Sequence, residues 1–536
     1  MHGSLIQLRV LEGANLYFRR PAVRLILDLT SLVQVTEREA ARFGQQMGLR
    51  GARPGAADSG FRQRFAARAV ARLVRRIAAE AGTDRLEVRV RPTSDVHRLV
   101  VAYPWRHRLR AEALAGAVAE VLDSVPVADL DTLVERVARS VREADLGPAP
   151  RLMRPRIPVV AITGTNGKTT TARMVAQMGR CAGKRVGWSS SDGIYVDDEL
   201  VEPGDHSGPG GAHRVLARPE VELAVTETAG GGILLLGIGV THNDVSVVLN
   251  VHPDDLGLHG IDTIDQLAEL KGVVTQITRS DGWCVLNGDD PRVWSMRALS
   301  PARPWAFSRH PGSPALREAL REGGRAITVL DGWISLLHSE HEPEALVEIA
   351  AVPIALAGRS RANVENCLAA ASAGLAAGMP HSAVVTGLES FTPTPKHNPG
   401  RTNLYSLGDI TVVLDLAHNE AGLQALLEVM RAVRPAGARL LLPENLTRLL
   451  PPGVERREVT ELPAYASEQA ALRALVSRAR PGDVLAVTCH QDRGELDSWL
   501  RAHGAEVLDA AALRRKLHDA GRSDPSGTEV SGADHG

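Results

Sequence analysis

The stretch Val160 to Val175, VAITGTNGKTTTARMV, decides the reading of the chain. An apolar run leads into a Gly-rich turn, the turn ends in Lys168-Thr169-Thr170, and a helix-forming sequence follows. Gly164 and Gly167 let backbone N–H groups face an anion, Lys168 can reach terminal phosphates, and the Thr169 hydroxyl suits Mg2+. The strict Walker spacing puts a glycine six residues before the lysine, where this chain has Ile162. The loop therefore predicts a phosphate site of a shortened kind, against the plainer reading of a glycine turn with an incidental lysine.

Outward from the loop, short apolar runs alternate with helix-length segments: VVAIT (159–163), ELAVTE (222–227), VSVVLNV (245–251) and WCVLNG (283–288). That alternation predicts a parallel sheet covered on both faces, with ligands at the carboxyl ends of its strands. After Pro399 a second α/β pattern begins, with ITVVLDLA, ARLLLPEN and DVLAVTC as strands. Before the loop, Arg24–Leu29 and Leu86–Val90 read as strands, and Arg62–Gly82 and Ala111–Leu122 as helices with one apolar face. The Pro-rich LGPAPRLMRPRIP (146–158) reads as a linker. The expected fold is α/β: a small N-terminal α+β domain (1–150), a P-loop central domain with a parallel sheet (156–398), a C-terminal Rossmann-like α/β domain (399–515) and a disordered tail (516–536).

The 536 residues carry a net charge of -1 with no basic run and only 3% aromatics, which argues against nucleic acid or an anionic membrane as partner. The four cysteines form no CxxC pair, so neither a zinc knuckle nor a disulfide framework is suggested. The N-terminus lacks a charged leader with an apolar core, and no run reaches 18 apolar residues, so a soluble cytoplasmic protein is expected.

Lysine occurs only at 168, 184, 271, 396 and 516. Glu227 closes one predicted strand and Asp254-Asp255 follow another, where a Mg2+-phosphate site needs hard oxygen ligands. Either alone reads as a solvated acid. Lys271 lies in an apolar helical stretch, where a snorkelling lysine is the ordinary explanation. Asn363 and Asn366 open a small-residue helix as caps or as amide readers of a base. Arg401 follows a Pro-Gly turn and suits bidentate phosphate contact, or is a surface arginine.

The order GTNGKTT, ETAGGG, NVHPDDLG, LAELK, LNGDDP, N-x-x-N, NPGR and DLAHN resembles the Mur ligase family of ATP-dependent amide-forming ligases. SSSDGIYVDDELVEPGDHSGP, ETAGGGILLLGIG and the N-terminal LRVLEGANLYFRRPAVRLILDL look most like the Mur-like half and N-terminal domain of cyanophycin synthetases. The ATP-grasp domain that separates those parts in that family, and extends its polyaspartate backbone, is missing. The resemblance implies that Gly164, Thr165, Asn166, Gly167, Lys168, Thr169 and Thr170 hold ATP, with Asn366 on adenine, Arg401 on the γ-phosphate, and Asp415 and His418 reaching the ribose and the cleft. It implies two Mg2+ ions held by Thr169, Glu227, Asp255 and a carbamylated Lys271. It places Lys168, Lys271, Arg401 and His418 in catalysis. It also implies a small-molecule or peptide carboxylate, an amine, and a homo-oligomer.

The chain departs from the family pattern at Asp255, where a histidine is usual, at Gly230 in place of an arginine, and at Leu416 and Glu420 in the DLAHNE motif. Residues 68–80 also lack the histidines of the cyanophycin N-domain. Three readings follow. The first is a Mur-type ligase acting through an acyl phosphate, the second a cyanophycin-type side-chain ligase with a separate backbone-extending partner, and the third a non-catalytic ATP-binding regulatory module.

Overall fold

The computed structural model describes residues 3–125, 129–254, 256–257, 260–450 and 459–522. Strand Val159–Thr163 lies in the interior of an eleven-stranded sheet, between Leu223–Glu227 and Asn243–Val248. From it the chain passes through helix Lys168–Cys181 to strand Val186–Ser190 on one side. Strands Asn243–Val248, Thr278–Asn287, Arg303–Ser308 and Arg325–Leu330 build outward on the other. The winding thus changes direction at the carboxyl end of Val159–Thr163, and the P-loop occupies that switch point. Every residue of Val159–Thr163 and of Leu223–Glu227 is buried, because helices cover both faces of this parallel region.

The sheet is mixed rather than purely parallel. Hairpins extend it at both edges: Gly193–Val196 and Glu199–Pro203 beyond Val186–Ser190, and Trp333–Leu337 and Glu344–Glu348 beyond Arg325–Leu330. Asp331 (φ 48°) and Gly332 (φ 82°) turn the chain from Arg325–Leu330 into Trp333–Leu337, and an Asp-Gly pair suits a tight turn that needs two left-handed residues.

The N-terminal sheet has four antiparallel strands in the order Leu5–Leu11, Ala22–Asp28, Arg98–Pro104, Arg89–Pro92. Its side-chain alternation divides two cores. Val23, Leu25, Leu27, Leu99 and Val101 pack on helices Gly60–Glu80, Arg108–Asp123 and Leu130–Glu143, while Ala22, Val100 and Ala102 join a core with Ile233, Ile238 and Val273 of the central region. The expected strand at Leu86–Val90 forms later, at Arg89–Pro92, where register with Leu99–Ala102 is available. The Pro-rich linker is pinned: Met153 N–H donates to Gly239 O at 3.0 Å and Met153 O accepts from Thr241 N–H at 3.0 Å.

A third sheet runs Val459–Leu462, Leu440–Pro443, Val484–Thr488, Ile410–Asp415, Asn403–Leu407, Glu506–Val507, parallel in its first four strands and antiparallel in the rest. Helix Ala510–Arg522 covers the first residues of the expected tail, because Leu513 and Leu517 pack into the core beneath it; residues 523–536 lie outside the described ones. Among the described residues no helix is long and apolar enough to cross a membrane.

Candidate functional site

The P-loop is held in shape by a side chain the sequence reading passed over. Asn250 Oδ1 accepts from the backbone N–H of Thr165 at 3.0 Å and of Asn166 at 2.9 Å, and its amide donates to Asn166 O at 3.1 Å. Gly167 caps helix Lys168–Cys181 with φ 85°, and a Cβ there would lie 2.2 Å from Asn366 Oδ1. Only glycine tolerates both the conformation and the approach. Asn366 is fixed in turn by Asn363 Oδ1 at 3.3 Å and by the Thr171 hydroxyl at 3.4 Å.

Lys168 Nζ folds back to donate to Thr165 O at 2.9 Å. Its burial lowers the ammonium pKa, and the neighbouring Glu227 carboxylate opposes that shift only in part. The Thr169 hydroxyl donates to Glu227 Oε2 at 2.7 Å, with Ser191 Oγ 3.4 Å from the hydroxyl. A hydroxyl, a carboxylate and a second hydroxyl therefore meet at the carboxyl ends of strands Leu223–Glu227 and Val186–Ser190. These oxygens fit Mg2+ completed by phosphate oxygens and water, the usual way this ion is held. Among the described residues no three His, Cys, Asp or Glu side chains converge as an all-protein metal cage.

Lys271 and Gly164 stand behind the loop rather than in the cleft. Lys271 is 5% exposed and its Nζ donates to Gly164 O at 2.9 Å, so it braces the loop from beneath instead of snorkelling. A Cβ at Gly230 would sit 4.0 Å from that Nζ. The expected ligand Asp255 lies outside the described residues.

The C-terminal domain supplies the opposite wall. Arg401 Nη2 donates to Ser191 Oγ at 3.2 Å, and its Nε is buried without a hydrogen-bond partner among the described residues. Asn398 ties the Arg401 loop to the P-loop helix: its amide donates to Arg401 O at 3.1 Å and accepts from Arg173 Nη1 at 3.1 Å. Asp415 accepts from the Thr402 N–H at 2.7 Å and hydroxyl at 3.2 Å, while burial raises its pKa. His418 Nδ1 lies 2.9 Å from Leu416 O, and its Nε2 is 4.0 Å from Asp254 Oδ2.

Between these walls lies a cleft of about 440 Å³. Thr165, Asn166, Gly167, Lys168, Thr169, Thr170, Glu227, Asn366, Arg401, Asp415 and His418 all line it, so the structure brings most of the sequence candidates to one place. Ala362 and Asn363 on one helix and the apolar Ala425, Leu426 and Val429 on another also line it. Ser191, Asn250, Asn398 and Asn419 are site residues that sequence reasoning misses. Asn398 and Asn419 do lie inside the motifs NPGR and DLAHN, which was signal enough, whereas Asn250 and Ser191 acquire meaning only from the fold.

These features define a P-loop α/β domain whose nucleotide-type cleft is closed by a second α/β domain. A family model narrows the class: residues 162–374 match the model of the Mur ligase middle domain. The chain is 41% identical over 276 residues to a cyanophycin synthetase from Crocosphaera subtropica, a match covering 52% of this chain and 32% of the relative. It is 28% identical over 367 residues to a UDP-N-acetylmuramoyl-L-alanyl-D-glutamate--2,6-diaminopimelate ligase from Chlorobaculum tepidum, covering 62% of this chain and 65% of that one. The chain thus spans about a third of the length of the cyanophycin synthetases it matches. A solved pseudomurein peptide ligase type C from Methanothermus fervidus aligns at 18% identity and TM-score 0.46 over 65% of this chain and 79% of that one.

Proposed function

We propose that this chain is an ATP-dependent amide ligase of Mur type: it activates a substrate carboxylate as an acyl phosphate and couples it to an amine, releasing ADP and phosphate. The observation that carries this reading is the convergence of Lys168, the Thr169–Glu227 pair and Arg401 in one cleft between two domains. A merely nucleotide-binding module has no need of an arginine delivered from a second domain to the phosphate end. The relatedness to cyanophycin synthetases and to a cell-wall ligase supports the same class.

In this reading the part of the cleft lined by Asn366, Leu426 and Val429 takes adenine, Asp415 faces the ribose, and the Thr165–Thr170 stretch wraps the phosphates. Lys168 and Arg401 neutralise the charge that builds on the transferred phosphoryl group, which matters more in such a transfer than any general base. Mg2+ beside Thr169 and Glu227 would supply further charge neutralisation. Lys271 supports the loop and, as a carbamate, would offer oxygens toward a second ion. The C-terminal domain shields the acyl phosphate from water, which would otherwise hydrolyse it. His418, at the rim near Asp254, faces the space where carboxylate and amine meet.

The test is release of ADP and phosphate by the full chain with MgATP, pooled amino acids and pooled carboxylate acceptors, short aspartyl peptides included, with mass spectrometry of products and a Lys168→Ala control. Release that requires both pools and yields a dehydrated adduct establishes the ligase and names its substrates. ATP binding without turnover in any pool favours the regulatory reading instead.

A further inference from the structure

Behind Arg401 lies a buried carboxylate that the chemistry above does not use. Asp192, its side chain 7% exposed, follows Ser191 at the end of strand Val186–Ser190. Its Oδ2 accepts from Arg173 Nη2 at 2.6 Å, and its Oδ1 lies 2.6 Å from Arg493 Nη1. Arg173 belongs to the helix that starts at the P-loop, whereas Arg493 opens helix Arg493–Ala502 of the C-terminal domain. Burial works against the charged form of Asp192, but the guanidiniums of Arg173, Arg401 and Arg493 outweigh it and hold the carboxyl below its ordinary pKa.

Stability does not explain this arrangement. A cation in the first turn of a helix is opposed by the helix dipole, and a buried ion pair gains little net free energy after desolvation. What such a pair does supply is a fixed geometry. The stem of Arg493 crosses Gly400, where a Cβ would fall 2.4 Å from Arg493 Cδ and where φ is +70°. Gly400 immediately precedes Arg401, and Arg401 Nη2 meets Ser191, the neighbour of Asp192. Two arginines of the C-terminal domain therefore grip residues 191–192 of the central domain, and the stem of one lies on the residue that carries the other.

We propose that Asp192 and Arg493 are positioning residues: their ion pair registers the C-terminal domain on the central one, and through the Arg493 stem on Gly400 it aims Arg401 at the terminal phosphate of the nucleotide. The aim at phosphate rests on the ligase reading; the interdomain registration does not.

Two measurements separate these parts. Cys181 is exposed while the other three cysteines are buried, so spin labels on Cys181 and on Ser477→Cys report the distance between the domains by electron–electron resonance in the full chain without nucleotide. The parent should give one narrow distribution, Arg493→Gln a broadened and longer one, and Arg493→Lys a distribution close to the parent. Displacement of a fluorescent ADP analogue then gives the preference for Mg-AMPPNP over Mg-ADP, which should fall about tenfold in Arg493→Gln and recover in Arg493→Lys. Asp192→Asn should repeat Arg493→Gln; if it fails to fold, Arg493→Gln carries the test. An unchanged distance in Arg493→Gln overturns the registration. A changed distance with both affinities falling equally overturns the aim at phosphate. A parent that binds neither nucleotide counts against the ligase reading and the aim together, while the distances still decide the registration.

Discussion

Asn166 of the P-loop and Asn419 of the C-terminal domain exchange side-chain amide hydrogen bonds, 3.1 Å in each direction. Asn419 Oδ1 also accepts from Gly422 N–H at 2.9 Å and so caps helix Glu420–Ala432. One side chain thus starts a helix and joins two domains, and substitutions can separate the tasks. Asn419→Ala loses both, and should cost about 1 kcal/mol through the cap as well as most of the turnover. Asn419→Asp keeps the cap oxygen but loses the donor to Asn166. Its thermal midpoint should stay near the parent's while ligation-coupled ADP release falls about tenfold, about the value of one hydrogen bond at the site. Equal thermal losses in the two variants would refute this division.

Lys168 carries its charge where burial disfavours it, and its folded pKa lies below its unfolded one. The unfolded chain therefore holds this proton more tightly, and stability rises with pH between the two values. Below the folded value the full cost of the buried charge is present. Lys168→Met should accordingly raise the melting temperature of the nucleotide-free protein at neutral pH, yet abolish the rise that MgATP produces. The stabilisation behind that rise is about 2.7 kcal/mol at a hundredfold excess over Kd. ATP affinity of the parent should weaken at alkaline pH sooner than an ordinary lysine would allow. Thermal shift across pH, with and without MgATP, checks both signs.

The P-loop was legible because strand, turn and helix are contiguous in sequence, and Val159–Thr163 and helix Lys168–Cys181 form where the apolar run and the loop predict them. Ile410–Asp415 and Val484–Thr488 were legible for the same reason. Other features were not local. Nothing near Asp192 or Arg493 in the chain announces that they meet, and Asn250 gains its role only when strand Asn243–Val248 lies beside Val159–Thr163. The edge hairpins depart from the purely parallel expectation that the alternation of strands and helices raises, although Asp331-Gly332 is a strong turn signal. The slip from Leu86–Val90 to Arg89–Pro92 is a boundary that pairing with Leu99–Ala102 settles and local pattern does not.

Glu227 accepts from the Thr169 hydroxyl at 2.7 Å and would turn to Mg2+ when the nucleotide binds. Glu227→Gln keeps the shape and an acceptor oxygen but removes the charge that the ion requires. Turnover should fall by about a hundredfold or more, as when one charge-stabilising group is lost from such a site, and the Mg2+ needed for half-maximal rate should rise. A magnesium titration at saturating ATP checks this. An unaltered magnesium requirement would place the ion elsewhere.

Gly230 stands where the resembling family has an arginine, and the structure shows what its restoration would meet. A Cβ there lies 3.4 Å from Leu270 Cδ2 and 4.0 Å from Lys271 Nζ, contacts that a modest adjustment accommodates. The difficulty is charge, since the new guanidinium would approach a lysine that is 5% exposed. A second cation beside that buried lysine repels it, so Gly230→Arg should destabilise the protein by roughly 1–3 kcal/mol if Lys271 is an ammonium. Carbamylation reverses the sign, because the lysine then carries a negative group that pairs with the arginine. Bicarbonate should therefore raise the melting temperature of Gly230→Arg by several degrees while moving the parent less, and Lys271→Met should remove the effect. Thermal melts in bicarbonate-free and bicarbonate-rich buffer decide the matter, and equal responses of the parent and Gly230→Arg would assign Lys271 its role as an uncarbamylated brace of Gly164 alone.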